Sequence, residues 1–186
     1  MVEDRNPSVV IFMGSDSDWP VMGRASQVLD EFSVPHLAIV SSAHRSHDRT
    51  VRMARLFTRR GTRVFIAGAG AAAHLAGALA AVTPRPVIGV PLASSPLSGL
   101  DSLLSTAQMP GGVPVACTAI GEAGAKNAAL LAVQILALSD RRLEARLLAY
   151  RDAMEKDLVR RDAALQRGRR GTPSRRPGGG RGKLVP

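Results

Sequence analysis

The sequence predicts an α/β domain, a parallel sheet covered by helices, and three observations support that class. Apolar strand-like runs recur at 8–13, 37–41, 63–67, 86–90 and 113–119, with helix-like stretches between most of them, the alternation of βαβ units. Apolar residues make up 45% of the chain and aromatics only 3%, so Ala, Val, Leu and Ile must build the core. That mix suits a sheet buried under helices. A length of 186 residues is enough for one domain with a full core.

Taken in order, the first run leads to Asp18, which is placed to cap a helix carrying Val21, Met22, Ala25, Val28, Leu29 and Phe32 at helical spacing. Pro20 is tolerated in its first turn, and the helix ends before Pro35. A second helix is expected over 48–60, with Val51, Ala54 and Phe57 as its inner stripe and Gly61 as its stop. The third, 71–81, is almost wholly small and apolar, so it is buried against the sheet or against another subunit. Residues 91–99 read as a loop before a short helix at 100–108, and Met109-Pro110-Gly111-Gly112 breaks the chain again. An apolar helix follows at 124–138. The last, 140–166, is amphipathic, with Leu143, Leu147, Tyr150, Met154 and Leu158 spaced at three or four. Its stripe packs either on its own domain or against another copy.

Charge and cysteine content exclude several classes. No apolar run approaches the ~20 residues of a membrane span, and the first five residues lack the basic start and apolar core of a signal peptide. A cytoplasmic protein is expected. Cys117 is the only cysteine and lies in an apolar run, so it reads as a small buried hydrophobe. The net charge is +10, but residues 167–186 carry +7 of it with no acid, leaving +3 for 1–166. The expected division is therefore a single folded domain over 1–166 and a disordered basic Gly/Pro/Arg tail over 167–186. No aromatic residues interleave with the tail arginines, so no specific nucleic-acid partner is expected.

Three short segments, each directly after a strand-like run, carry the chemistry. In a parallel sheet they gather at the carboxyl edge, where ligands of open α/β folds bind. Gly14 and Ser15 precede a helix start, so backbone N–H groups and the Ser15 and Ser17 hydroxyls either cap the helix or face a phosphate. Asp18 repels a phosphate and better suits a sugar hydroxyl or an amine. Ser42, His44 and Arg45 pair a phosphate-binding cation with a group that titrates near neutrality, although a polar loop has the same composition. Two histidines three apart, His44 and His47, need a further ligand to hold a metal, and nothing supplies one convincingly. Gly68 and Gly70 begin a run of small residues that lets a planar ligand approach, without the GxGxxG spacing of a dinucleotide site. His74, expected in the first turn of the next helix, points into the pocket or bonds to backbone.

The segments MGSDSDW, SAHR, AGAGAAAHLAG, GVPL, SGLDSLLSTAQMPGGVPVACTAIG and AGAKNAALLAVQIL, spanning about residues 8–138, together resemble the PurE family, its class I branch most closely. That resemblance implies a flavodoxin-like three-layer α/β/α subunit with an added C-terminal helix, a homo-octamer, and neither metal nor organic cofactor. It also implies an isomerase of de novo purine biosynthesis that converts N5-carboxyaminoimidazole ribonucleotide to 4-carboxy-5-aminoimidazole ribonucleotide. The alternatives are carboxylation of aminoimidazole ribonucleotide by free carbon dioxide, as in the family's class II, and a noncatalytic nucleotide-binding relative. By motif, His44 matches the general acid-base residue, Ser15, Asp18 and Arg45 match substrate-binding residues, and Gly70 and His74 match the loop over the imidazole and carboxylate. Ser42, in the same SAHR segment, joins the substrate-binding set, and Gln108-Met109-Pro110 resembles a segment near the site. The chain departs from the usual pattern at Ser46-His47, Ala71 and Ala76, where members commonly carry Thr-Pro, Gly and Pro. Ala71 is harmless in a helix and a hindrance at positive φ.

Overall fold

A computed structural model describes residues 6–170. Five parallel strands, β1 (Val9–Met13), β2 (His36–Val40), β3 (Val64–Gly70), β4 (Val87–Leu92) and β5 (Ala116–Cys117), form one sheet in the order β2-β1-β3-β4-β5. This is the flavodoxin-like order. Between and after the strands come α1 (Trp19–Glu31), α2 (His47–Arg59), α3 (Leu75–Ala80), α4 (Leu100–Ala107), α5 (Glu122–Ala137) and α6 (Arg141–Arg170).

Helices cover both faces of the sheet. α1 and α5 pack together over one face, and α2, α3 and α4 cover the other. β1, the second strand in spatial order, is wholly buried, as its uninterrupted sequence VVIFM requires. Phe12 and Phe65 meet on the α2–α3 side with ring centroids 6.0 Å apart, and Met53, Phe57 and Leu79 fill the space around them. The opposite face is narrower: a Cβ at Gly68 would lie 2.4 Å from the sulfur of Met22, so glycine there lets α1 settle onto β3.

Several boundaries differ from the sequence expectation for identifiable reasons. β5 spans two residues rather than seven, because it lies at the sheet edge and Pro114 has no N–H to add to the ladder. β3 extends through Gly68, Ala69 and Gly70, which pair with Val90, Pro91 and Leu92 of β4, so those glycines are strand rather than loop. α3 begins at Leu75 rather than residue 71, because Ala71 takes a positive φ of 49° that no α-helix accommodates. α2 ends where expected, with Gly61 at φ 91°.

Residues up to Leu147 form one compact unit. Within it the Asp140 carboxylate caps α6, accepting from the backbone N–H groups of Arg142 and Leu143, and Leu143 is buried. The second unit starts at Leu148 and is the remainder of α6 as far as it is described. Its own ion pairs run along the helix, Lys156 to Asp152 and both Arg160 and Arg161 to Asp157, while Met154 and Leu158 are exposed. The helix continues past Gln166 to Arg170, because arginine is a good helix former and one glycine at 168 does not stop it. The rest of the expected tail, 171–186, lies outside the described residues.

Candidate active site

All seven residues singled out from the sequence, Ser15, Asp18, Ser42, His44, Arg45, Gly70 and His74, line one cleft of about 430 Å³. It opens at the carboxyl ends of β1, β2, β3 and β4, across the point where strand order reverses between β1 and β3.

The segment after β1 forms a short 3-10 turn, Asp16–Asp18, capped by Ser15. The Ser15 hydroxyl accepts from the Ser17 backbone N–H at 3.3 Å and from the Ser17 hydroxyl at 2.8 Å. The Asp18 carboxylate accepts from the Ser15 backbone N–H at 3.0 Å, which completes a capping box. Asp18 therefore does not cap α1 with its side chain, as the sequence suggested. One turn earlier it closes the loop that presents Ser15. Burial pushes its carboxyl above the ordinary carboxylate range, opposed by N–H groups of Ser15 and Gly14 and by the Arg45 charge.

The segment after β2 is held by its own serines. Ser42 Oγ accepts from the Arg45 backbone N–H at 3.2 Å, and Ser46 Oγ accepts from the Ser42 N–H at 3.0 Å. The Arg45 guanidinium reaches across to the Gly14 carbonyl at 2.8 Å, joining the first two segments. Four of its five N–H donors remain for a ligand. Exposed, beside serine hydroxyls, they form an anion-binding corner above β1 and β2.

His44 and His74 meet across the cleft. His44 Nε2 lies 2.8 Å from His74 Nδ1, with the rings edge to face. His74 precedes α3 instead of lying in its first turn, and its side chain turns into the cleft to bond His44, not backbone. The turn before it is tied to α4, because the Ala73 N–H donates to Ser105 Oγ at 3.0 Å. His47 faces away, into a shallow groove with Arg52, Arg55 and Arg59 on α2. Met109 packs by Gly77 on α3, and neither it nor Gln108 or Pro110 lines the cleft.

Ala76 is buried in the first turn of α3, a position alanine fills well. Cys117 is partly buried, its thiol pushed up by desolvation, and lies outside the cleft. Among the described residues no three His, Cys, Asp or Glu side chains converge in the way a metal ion needs. Ser94 is the hydroxyl-bearing residue of the cleft lining that sequence reasoning did not single out. Its only signal was membership of the loop after β4.

Comparison with known proteins points to one family. The family model described as AIR carboxylase matches residues 8–157. The N5-carboxyaminoimidazole ribonucleotide mutase of Mycobacterium tuberculosis is 52% identical over 87% of this chain and 91% of its own. That of Bacillus subtilis is 56% identical over 76% of this chain and 87% of its own. The crystal structure of Treponema denticola PurE superposes with a TM-score of 0.77 at 26% identity, covering 84% of this chain and 97% of that one. With the fold, the strand order and the matched span in agreement, this chain belongs to the AIR carboxylase, or PurE, family.

Proposed function

We propose that the chain is an isomerase of purine biosynthesis that converts N5-carboxyaminoimidazole ribonucleotide to 4-carboxy-5-aminoimidazole ribonucleotide. The observation that carries this reading is the mutase identity of relatives that share about half of its residues over most of its length. The cleft supplies the parts. Arg45 and Ser15 hold the phosphate, Ser42 shapes the Arg45 loop, Asp18 accepts from a ribose hydroxyl, and Gly70 and His74 border the imidazole.

The chemistry is a transfer without redox change. The bond from carboxylate carbon to N5 breaks, its electron pair stays on N5, and N5 takes a proton. C4 of the aminoimidazole then attacks the released carbon dioxide, a carbon–carbon bond forms, and C4 loses its proton. One proton moves in sum from C4 to N5, and His44, hydrogen-bonded to His74, carries it. Confinement matters because carbon dioxide trapped beside C4 recombines as an intramolecular partner.

The working form is a homo-octamer in the cytoplasm. The resemblance implies the octamer, and the exposed Met154 and Leu158 of the second unit offer apolar surface for contact between copies. The absence, among the described residues, of any helix long and apolar enough to cross a membrane accords with the location.

The test gives purified protein either N5-carboxyaminoimidazole ribonucleotide or aminoimidazole ribonucleotide with bicarbonate, beside light scattering for mass. Turnover of the first substrate at micromolar concentration supports the reading. Turnover of the second alone, or binding without turnover of either, contradicts it.

A further inference from the structure

The cleft runs across the sheet rather than into it, and this gives it two chemically different ends. The anion corner of Ser15 and Arg45 lies above β1 and β2. The far end lies above β3 and β4, where Gly70 ends its strand and Ser94 follows β4. Two strand spacings separate β1 from β4, about 10 Å. That is about the reach of a ribonucleotide from phosphate to base, so a substrate anchored at Arg45 places its imidazole and carboxylate over Gly70.

Ser94 lies directly against that position. A Cβ built on Gly70 would lie 1.7 Å from Ser94 Oγ, so the hydroxyl occupies the space that any larger residue at 70 would take. Its loop is fixed by bonds of its own, Leu97 N–H to Ser95 Oγ at 3.2 Å and Ser98 N–H to the Ser95 carbonyl at 3.1 Å. Among the described residues the Ser94 hydroxyl has no hydrogen-bond partner, although it lines the cleft. A carboxylate needs donors, and the arginine is at the opposite end.

We infer that Ser94 is a substrate-contacting residue whose hydroxyl donates to an oxygen of the migrating carboxylate at the β3–β4 end of the cleft. This rests on the isomerase reading. The hydrogen bond fixes the carboxylate over the imidazole before it leaves N5, so that carbon dioxide is released beside C4 and its escape is limited. Ser94 takes no proton and forms no covalent bond.

The experiment uses substrate labelled with carbon-13 at the N5 carboxylate, in unlabelled bicarbonate, with wild type and Ser94→Ala. The substitution removes an exposed hydroxyl, and circular dichroism checks that the variant is folded. The expected result is a kcat lower by about 10–100-fold, the loss typical of a charge-assisted hydrogen bond, with KM nearly unchanged because the phosphate end is intact. Product from the variant should also carry less label, and free aminoimidazole ribonucleotide should accumulate. Wild-type kcat and full label retention in Ser94→Ala, or a rise in KM alone, overturn the assignment while leaving the isomerase reading in place. Failure of the wild type to form labelled product overturns both.

Discussion

His44 Nε2 and His74 Nδ1 lie 2.8 Å apart, bridging the loop after β2 and the turn after β3. One hydrogen bond therefore orients both rings and fixes which nitrogen of each is engaged. If His44 moves the proton, His74 acts by holding its ring. His74→Ala should lower kcat by about 2–10-fold, the worth of one neutral hydrogen bond, and His74→Gln should recover part of it. An unchanged kcat in His74→Ala contradicts an orienting role.

Ala71 takes a φ of 49° immediately before the turn that carries His74. A left-handed conformation costs a residue with a Cβ about 1–2 kcal/mol. Glycine removes that cost but gives back about 0.4–1 kcal/mol through the freer unfolded chain. Ala71→Gly should stabilise the protein by roughly 0.5–1 kcal/mol, a rise of a few degrees at most in Tm. A lower Tm contradicts the strain.

Gly68→Ala tests the packing of α1 on the sheet. The new Cβ would meet the side chain of Met22, which is fully buried and would have to repack. The expected cost is about 1–3 kcal/mol in a denaturant titration. Exchanging Met22 for alanine in the same chain should make the Gly68 substitution much less costly, because its clash is gone.

Asp18 predicts a pH dependence. Burial raises its carboxyl above the ordinary 3.8, so the folded chain binds that proton more tightly than the unfolded chain does. The contribution to stability is full below 3.8 and is lost as pH rises through the raised value. Asp18→Asn keeps an acceptor for the Ser15 N–H and cannot ionise. Its stability relative to wild type should therefore grow from about pH 4 to about pH 7. A constant difference between the two proteins over that range contradicts the shift.

The fold was legible because its strands are continuous apolar runs and its helices keep a helical period. Strand order was not legible from pattern alone, since pairing β1 between β2 and β3 depends on contacts distant in sequence. The cleft was legible because strand-end loops in a parallel sheet share one edge, which brought Ser15, Arg45 and His74 together from three loops. What escaped was conformation. A run of alanines and glycines has the same composition as strand, turn or helix, and 67–77 is all three in succession. Asp18 resembled a helix cap because a capping box one turn earlier uses the same residue types. Ser94 escaped because a serine in a Ser/Pro loop has no periodicity to mark it.

The central claim is that the strand-end segments form one carboxylate-transfer site with His44 as its proton carrier. The most direct measurement is turnover and ligand binding by His44→Asn. The account predicts a kcat lower by about 10²–10⁴-fold with affinity for aminoimidazole ribonucleotide kept within a few fold, because the phosphate corner is untouched. Turnover at the wild-type rate would contradict it.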